Sequence, residues 1–495
     1  MSTTATATRT PPSAPPAGVG GAGRLAELVL LVLAVAVGAG AYAQVRLADT
    51  GRLPVGFWVW VAVGAAIALA AHVAVRLLAP YSDPVILPVV VALNGLGLAL
   101  IYRLDIAAQD RATSRGGAPP TSYAEHQVVW TLLGVGLFVL VLLLVRELRV
   151  LSRLTYTAML VGLVLLVLPL LPHVGVTING ARIWIRVGGL SFQPGEVAKL
   201  ALIVFFAGYL VVKRDVLSLA RSRVLGIDLP RGRDLGPIVV AWLASLAILV
   251  FQKDLGTSLL FFGLFVAMLY VATERVGWLV IGAVLFLLGS TAAYLLFAHV
   301  HDRVQVWLHP FADPNTKGYQ IVQALYGLAD GSILGSGIAQ GHPDLVPFAN
   351  SDFIVSTAGE LLGLTGLMAL ITLYAILVER GLKAAVQVRD PFGRLLAFGL
   401  AFAVGLQVFV VVGGVTQLIP LTGLTTPFMS QGGSSLVANW VLAGLLLRVS
   451  DTARRPPPYV APLEHVPPAP PPGVTAQPTP RDGGDPLVDT QVVGS

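Results

Sequence analysis

Long runs of apolar residues, separated by short polar or basic segments, repeat along the chain between residues 25 and 449. About 20 apolar residues form an α-helix long enough to cross a hydrocarbon core roughly 30 Å thick. The pattern predicts twelve such spans, at 25–44, 57–78, 84–103, 127–146, 155–172, 195–213, 237–251, 257–272, 276–298, 353–378, 394–416 and 427–449. The short seventh and eighth spans would also fit one long broken helix. The predicted fold is an all-α polytopic membrane protein.

Composition supports this class and excludes others. Hydrophobic residues make up 55% of the 495 residues and charged residues only 12%, whereas soluble globular proteins carry about 25% charged residues. The absence of cysteine excludes a disulfide scaffold. The net charge of +6 therefore has to be interpreted relative to a bilayer, and it does not indicate nucleic acid as a partner.

Basic residues predict the orientation of the spans. They are concentrated in the segment 213–234, after the fourth and tenth spans, and after the last span. Twelve spans with a cytoplasmic N-terminus place all four groups on the cytoplasmic side, in agreement with the positive-inside rule. The Ala-, Thr- and Pro-rich residues 1–23 and the Pro-rich residues 451–495 lack the means to form a core and are expected to be disordered on that same side.

The first long outer segment, 173–196, alternates apolar and polar residues around Trp184 and then reaches a Gly188-Gly189 pair. This pattern predicts a short hairpin or a strand lying on the membrane surface. Pro194 followed by Glu196 is typical of the first turn of a helix.

Ionisable side chains at membrane depth are costly and usually functional. Lys199 lies one turn from Glu196 in the sixth span, and Glu360 lies eight residues into the tenth. The alternative is that Glu196 and Lys199 form an internal ion pair that only fixes helix packing.

The second outer segment, about 299–352, is much longer than ordinary connections. It contains Arg303, Lys317 and Gln320, then a glycine-rich stretch, and it ends at Asp352 directly before the tenth span. Asp352 is a candidate functional carboxylate, although Asp is also a favoured N-cap residue and its role could be capping alone. Near the C-terminus, prolines and glycines interrupt the apolar sequence 414–440, which indicates either a broken helix lining a cavity or a kinked packing helix.

Five blocks in order resemble the SEDS family, the FtsW/RodA/SpoVE-type proteins of shape, elongation, division and sporulation. They extend over about residues 84–449 and read GARIWIRVGGLSFQPGEVAKLA, QKDLGTSLL, DRVQVWLHPFADPNTKGYQIVQAL, SDFIVSTAGELLGLTG and PLTGLTTPFMSQGGSS. The family pattern differs at a few positions, which are occupied here by Gly195, Lys253, Leu361 and Gln431.

The resemblance implies a peptidoglycan glycosyltransferase that polymerises lipid II in the bacterial cell membrane, with a class B penicillin-binding protein as transpeptidase partner. It also implies a ten-span core over residues 84–450, so that residues 24–83 are two additional N-terminal helices, as in actinobacterial members. Division-type members tend to have a lysine where this chain has Leu421, so the elongation (RodA-like) type is favoured over a septal (FtsW-like) enzyme.

The resemblance also implies roles for individual residues. The family's catalytic aspartate falls on Asp352, which we expect to act as general base from the extracytoplasmic side. Arg303 and Lys317 are candidates to hold the pyrophosphate, whereas Glu360 and Lys199 are expected to organise the cavity. The remaining candidate substrate-binding residues are Gln320 and Glu196.

Three questions stay open at this stage. No ligand cluster in the sequence specifies a metal, but a divalent cation such as Mg²⁺ or Mn²⁺ could neutralise the pyrophosphate. A lipid II flippase would share the many spans and buried charges, although the polar residues here are densest on the predicted outer side rather than along a path through the membrane. A non-catalytic scaffold for cell-wall enzymes is the third functional class, beside the glycosyltransferase and the flippase.

Overall fold

The computed structural model describes residues 19–118, 120–178, 180–187, 190–218, 222–224, 227–229, 242–244, 246–248 and 250–456. The helices in this part of the chain are α1 (Val19–Thr50), α2 (Phe57–Leu78), α3 (Ile86–Ser114), α4 (Tyr123–Leu144), α5 (Leu148–Arg153), α6 (Thr155–Val167), α7 (Pro194–Ser218), α8 (Leu255–Thr273), α9 (Gly277–Leu296), α10 (Ala298–Leu308), α11 (Tyr319–Gly331), α12 (Ile354–Gln387), α13 (Pro391–Val415) and α14 (Gly433–Arg454). Short 3₁₀ turns lie at Leu168–Leu170, Pro310–Ala312 and Pro343–Leu345. The strands are β1 (Gly175–Ile178), β2 (Ala181–Val187), β3 (Leu190–Phe192), β4 (Ser222–Val224) and β5 (Ile227–Leu229).

Ten of the described helices are long and apolar enough to cross a membrane, which confirms a polytopic, multi-pass membrane protein. They coincide with ten of the twelve predicted spans. The fifth predicted span, 155–172, corresponds to a shorter apolar helix, Thr155–Leu170. Residues 237–241, 245 and 249 of the seventh, 237–251, lie outside the described residues, and the rest of that span is helical. Most of the predicted disordered N-terminal segment and of the Pro-rich tail also lies outside the described residues.

The predicted hairpin after α6 is confirmed. β2 and β3 pair antiparallel, with Val187 opposite Leu190; the predicted turn at Gly188-Gly189 lies outside the described residues. β1 adds a third strand on the other edge of β2, which the alternation did not predict. Pro194 is the first residue of α7, as predicted, and Glu196 lies in its first turn.

The last helix, α14, is the central packing element of the described bundle. It packs closely against α4 and also contacts α7, α12 and α13, and its side chains from Ser434 to Asp451 are nearly all buried. The segment between α13 and α14 lacks helical structure over much of residues 416–432; we call it the α13–α14 loop. This agrees with the predicted break in the apolar sequence.

One end of the bundle is defined by Asp83, in the connection between α2 and α3. Arg380 of α12 approaches the Asp83 carboxylate to 3.8 Å, and Arg454 of α14 also pairs with it. Two of the basic segments predicted to share a side therefore meet. α12 contains 34 residues, about 51 Å of helix, with a kink at Gly363. Its first residue, Ile354, consequently lies at the opposite end from Arg380.

Candidate active site

Asp352 lies two residues before the start of α12 and does not cap it. The N-cap position is occupied by Phe353, and no side chain there accepts a hydrogen bond from the first turn. The capping alternative is therefore wrong. The half-buried Asp352 carboxylate is directed instead towards the α13–α14 loop, as its approach to Gly423 shows.

Hydrogen bonds to the α13–α14 loop fix the backbone around Asp352. Ser430 Oγ donates to the carbonyl oxygen of Ser351 at 2.6 Å. Asn350 Nδ2 donates to Gln431 Oε1 at 2.6 Å, and the Gln431 backbone N–H donates to the Asn350 carbonyl at 2.7 Å. Two segments almost 80 residues apart in sequence are thus held as one unit, and the position of Asp352 depends on both.

Gly423 is the point of the α13–α14 loop that faces Asp352. Its φ of +76° lies in the left-handed region, which glycine adopts without the steric cost of a side chain. A Cβ at this position would lie 3.6 Å from Asp352 Oδ2 and 3.9 Å from Arg303 Nη2. Asp352 and Arg303, predicted from sequence as base and pyrophosphate ligand, are therefore brought to the same point.

Arg303 is held in place from α10. Its Nη1 donates to the carbonyl oxygen of Leu421 at 2.9 Å. One turn later on α10, Trp307 Nε1 donates to the Gln417 carbonyl at 2.9 Å, and Gln417 Nε2 returns a bond of 2.8 Å to the Trp307 carbonyl. These three contacts fasten α10 to the α13–α14 loop. The half-buried guanidinium keeps its Nη2 directed towards Gly423.

A second carboxylate, Asp254, belongs to this site and was missed by the sequence analysis. It is the N-cap of α8, where its Oδ1 accepts the Thr257 backbone N–H at 2.9 Å. The preceding Lys253 has a φ of +61°, an uncommon backbone conformation for a residue with a side chain. The available signal was the block QKDLGTSLL, in which a charged pair directly precedes an apolar span.

The three charged groups influence one another's ionisation. Burial raises the pKa of Asp352 to about 6; the Arg303 charge and a hydrogen bond from Ser351 lower it, whereas the Asp254 charge raises it. Burial likewise raises the pKa of Asp254, against the opposing effects of Thr257 hydrogen bonds and Arg303. Since a general base works best with a pKa near the operating pH, Asp352 is suited to that role.

A buried polar chain connects α7 to the same loop. Lys199 Nζ donates to Glu196 Oε2 at 2.8 Å and to Gln407 Oε1 at 2.9 Å. Gln407 Nε2 in turn donates to the Thr425 carbonyl at 2.8 Å. The Glu196 charge also raises the pKa of Asp254. The predicted pair of Glu196 and Lys199 is thus confirmed as an ion pair, and it supports the α13–α14 loop rather than standing alone.

Glu360 organises a different region, the glycine-rich stretch after α11. Its Oε1 accepts the His342 backbone N–H at 2.5 Å, and it lies against Gly327 and Gly341, where a Cβ would meet its carboxylate oxygens. From α3, Arg103 donates to the carbonyl oxygens of Ile338 at 2.9 Å and Gly341 at 2.7 Å. Glu360 thus fixes a loop, and its prediction as a substrate ligand stays a prediction.

Lys317 and Gln320 lie near the surface of the outer segment. Lys317 Nζ donates to Asp302 Oδ1 at 2.8 Å, with both side chains largely accessible. Asp302 directly precedes Arg303 on α10. Gln320 is half-buried in the first turn of α11. In the described part of the chain, no hydrogen bond or ion pair joins either residue to Asp352, and their roles remain predictions.

The described residues contain no group of three or more His, Asp or Glu side chains placed to hold a metal ion. Asp254 and Asp352 are two carboxylates near Arg303, a donor set that a divalent cation could share with substrate oxygens.

The class of this bundle of membrane-crossing helices, which has a carboxylate and a guanidinium at one end, is established by sequence comparison. Residues 84–455 match the FtsW/RodA/SpoVE family, described as "Cell cycle protein". The chain belongs to this family. The resemblance inferred from the five sequence blocks is thereby confirmed.

Among relatives, the chain is 51% identical over 387 residues to the peptidoglycan glycosyltransferase RodA of Mycobacterium tuberculosis, covering 78% of this chain and 81% of that protein. It is 33% identical over 380 residues to the probable peptidoglycan glycosyltransferase FtsW of Geobacter metallireducens, covering 76% and 96%.

Two solved structures share the fold. One chain, from a study titled "Structural coordination of polymerization and crosslinking by a peptidoglycan synthase complex", matches with a TM-score of 0.60 and 29% identity, covering 76% of this chain and 99% of that one. A variant of the Thermus thermophilus rod shape determining protein RodA matches with a TM-score of 0.51 and 26% identity, over 76% and 99%.

Proposed function

We propose that this chain is a peptidoglycan glycosyltransferase that polymerises lipid II into glycan strands, with Asp352 as the general base. The observation that carries the proposal is the convergence of the Asp352 carboxylate and the Arg303 guanidinium at Gly423. The higher identity to a mycobacterial RodA than to FtsW relatives supports an elongation role over a septal one.

The reaction joins the 4-hydroxyl of one sugar to the anomeric carbon of another, which leaves as a polyprenyl pyrophosphate. A sugar hydroxyl is a weak nucleophile, and a positioned carboxylate that removes its proton contributes typically about 10²–10⁴-fold. Asp352, whose pKa of about 6 leaves it largely ionised at neutral pH, would accept that proton. In-line attack on an α-linked donor would give a β-linked product with inversion.

Arg303 would bind the pyrophosphate, because a guanidinium presents a planar fork of donors that matches phosphate oxygens. Its Nη1 is engaged by the Leu421 carbonyl, which orients the group while Nη2 faces the site. Lys317, paired with the neighbouring Asp302, could add positive charge at the edge. Glu196, Lys199 and Glu360 would hold the surrounding loops in position.

The placement of the site supports an extracytoplasmic active site. Asp352 precedes the start of α12, whereas Arg380, near its other end, meets Arg454 at Asp83. Basic residues favour the cytoplasmic side, so Asp352 would face outward. A flippase would instead need an open polar path through the bilayer, whereas Lys199 is only 2% exposed and is bonded to Glu196 and Gln407.

A class B penicillin-binding protein is the proposed transpeptidase partner, and bulk membrane lipids would surround the helices. The synthase complex that contains a similar chain is described as coordinating polymerization and crosslinking. Polymerisation would reside in the present chain and crosslinking in the partner.

The test is purified full-length protein incubated with lipid II, with and without its penicillin-binding partner, with the glycan products separated on a gel. We expect polymer, most abundantly with the partner, and continued polymerisation when a β-lactam blocks the partner. Asp330→Asn, a change of an exposed carboxylate on α11, is the control and should behave as wild type. Absence of polymer in all preparations, while lipid II is moved across liposome membranes, would favour the flippase.

A further inference from the structure

The turn before α8 holds Lys253 in an uncommon backbone conformation. Its φ of +61° lies in the left-handed region, which a residue with a side chain adopts only at a conformational cost. Both neighbours are anchored. Gln252, 3% exposed, donates through Nε2 to the Leu166 carbonyl oxygen at 2.5 Å, and Asp254 caps α8. Lys253 itself is exposed, so the turn fixes the backbone and leaves one cation accessible.

This turn lies against the candidate active site. A Cβ at Gly256, in the first turn of α8, would lie 2.9 Å from the Thr422 carbonyl oxygen and 2.7 Å from Leu424 Cγ. These two residues flank Gly423, the point that faces the proposed general base. The start of α8 therefore packs on the same few residues of the α13–α14 loop that the base approaches, and Lys253 precedes Gly256 by three residues.

His299 on α10 lies between the turn and Arg303. It precedes Arg303 by four residues, so the two side chains share one face of the helix. His301 lies on a different face, with its ring centre 4.7 Å from that of Tyr294 on α9. Burial and the positive charges of Arg303 and Lys253 lower the pKa of His299, as expected for an imidazole near two cations. Positive charge at this site thus extends from Arg303 to Lys253.

The charges of the site are balanced only when Lys253 is included. Asp254 and Asp352 carry two negative charges when both are ionised, and Arg303 carries the positive charge that lowers the pKa of each. These three groups alone have an excess of negative charge, which would repel a pyrophosphate. Lys253 makes no ion pair within the described part of the chain, so its charge is available to offset that excess.

We propose that Lys253 is a second pyrophosphate-binding residue, so that Arg303 binds one phosphate of the polyprenyl pyrophosphate and Lys253 binds the other. The proposal rests on the proposed function, in which this pyrophosphate is the leaving group, and it adds a ligand for it. The guanidinium fork fixes the orientation of one phosphate, whereas the lysine ammonium on its flexible stem can follow the other as it departs. Position 253 departs from the family pattern, so this ligand is not a feature of the family as a whole.

The test measures the binding of a polyprenyl pyrophosphate, and of the polyprenyl monophosphate with the same chain, to the full-length protein in detergent. Wild type should bind the pyrophosphate more tightly. Lys253→Gly removes the cation and suits the left-handed backbone, so its thermal transition should match or exceed that of wild type. We expect it to weaken pyrophosphate binding about tenfold and monophosphate binding much less. Lys253→Arg, which keeps the charge, should bind both ligands nearly as wild type does.

Glu274→Gly is the matched control. Glu274 ends α8, on the opposite side of the helix from Lys253, with a φ of +56° and an exposed side chain. The substitution makes the same backbone change away from the site, and it should leave the binding of both ligands unchanged. Lys253→Asn is a second neutral variant that tolerates the left-handed region, and it replaces Lys253→Gly if thermal unfolding shows that the glycine variant does not fold.

Lipid II polymerisation by the same preparations separates this proposal from the proposed function. Pyrophosphate binding that depends on Lys253 in a protein that makes no polymer would contradict the glycosyltransferase and support the assignment of Lys253. Unchanged pyrophosphate binding by a folded neutral variant would overturn that assignment. Equal losses for the two ligands, or a wild type that binds both alike, would also overturn it, because a second phosphate contact requires a preference for pyrophosphate.

Discussion

The Asp352 carboxylate and the Arg303 guanidinium face the same glycine, Gly423, from two different elements. The position that a Gly423 Cβ would occupy lies 3.6 Å from Asp352 Oδ2 and 3.9 Å from Arg303 Nη2. No ion pair within 4.0 Å joins the two side chains in the described structure, while Arg303 is anchored by the Leu421 carbonyl. A carboxylate and a cation thus flank one point without an ion pair between them, an arrangement that suits the proposed transfer from a pyrophosphate donor.

The ionisation of Asp352 predicts an acid limit to activity. A protonated carboxyl cannot accept the hydroxyl proton, so polymerisation should decline below the pKa of about 6, by about tenfold for each further pH unit. Because Arg303 lowers the pKa of Asp352, Arg303→Gln should move the midpoint of this acid decline in activity, the acid limb of the pH profile, to higher pH. The same change should weaken the use of lipid II. Initial rates from pH 4.5 to pH 8, at about half-unit steps, test both effects. An unchanged midpoint would place Arg303 outside the electrostatic environment of Asp352.

The charge of Asp254 should affect the pH dependence of activity in the opposite direction to that of Arg303. Its charge raises the pKa of Asp352, so Asp254→Asn should shift the acid limb to lower pH. Asparagine is as good an N-cap as aspartate, and the start of α8 should survive, which thermal unfolding in detergent can verify. A midpoint that moves upward or stays constant in a folded Asp254→Asn protein would show that Asp254 only caps α8.

A side chain at Gly423 should impair catalysis beyond its effect on stability. Alanine there would cost about 1 kcal/mol, because φ is +76°, and its methyl group would occupy the point between Asp352 and Arg303. Gly116→Ala is the matched control, since Gly116 has a φ of +69° and nothing within 4 Å of its Cβ position. We expect similar loss of thermal stability for both variants but at least a tenfold fall in specific activity for Gly423→Ala alone. Equal activities would indicate that substrate does not approach Gly423.

The orientation of the bundle predicts the location of two reporters. A reporter fused after residue 233 should report the cytoplasm, and one inserted near Gly341 should report the outside. If either reporter gave the reverse location, the positive-inside argument would fail. Asp352 would then lie on the wrong side of the membrane for cell-wall synthesis.

The bundle was predictable because each span needs only local apolar length, which the sequence displays directly. The alternation around Trp184 likewise predicted the hairpin of β2 and β3. β1 was not predicted, since the four residues Gly175–Ile178 carry little pattern and are a strand only through pairing with β2. The fifth span is a shorter helix than predicted because Leu168–Leu170, with Pro169 at its centre, forms a 3₁₀ turn at its end.

The site was predictable only in part. Asp352 and Arg303 were identified through the family resemblance, whereas their meeting at Gly423 depends on contacts across about 70 to 120 positions of sequence. Asp254 stands at the start of a predicted span, and its interaction with Asp352 and Arg303 emerges only in the folded chain. Gln407 lies within an apolar span. A buried amide there indicates a hydrogen-bonding partner, and in the structure that partner is Lys199.

The most direct test of the central claim is the rate of lipid II polymerisation by Asp352→Asn. The variant keeps the size of the side chain and its capacity to accept hydrogen bonds but cannot take a proton, so its expression, membrane insertion and binding of the penicillin-binding partner should match wild type. We predict a fall of at least about 10²-fold in glycan synthesis, with Asp330→Asn unaffected. Glycan synthesis by Asp352→Asn within a few-fold of wild type would contradict the assignment of Asp352 as the general base.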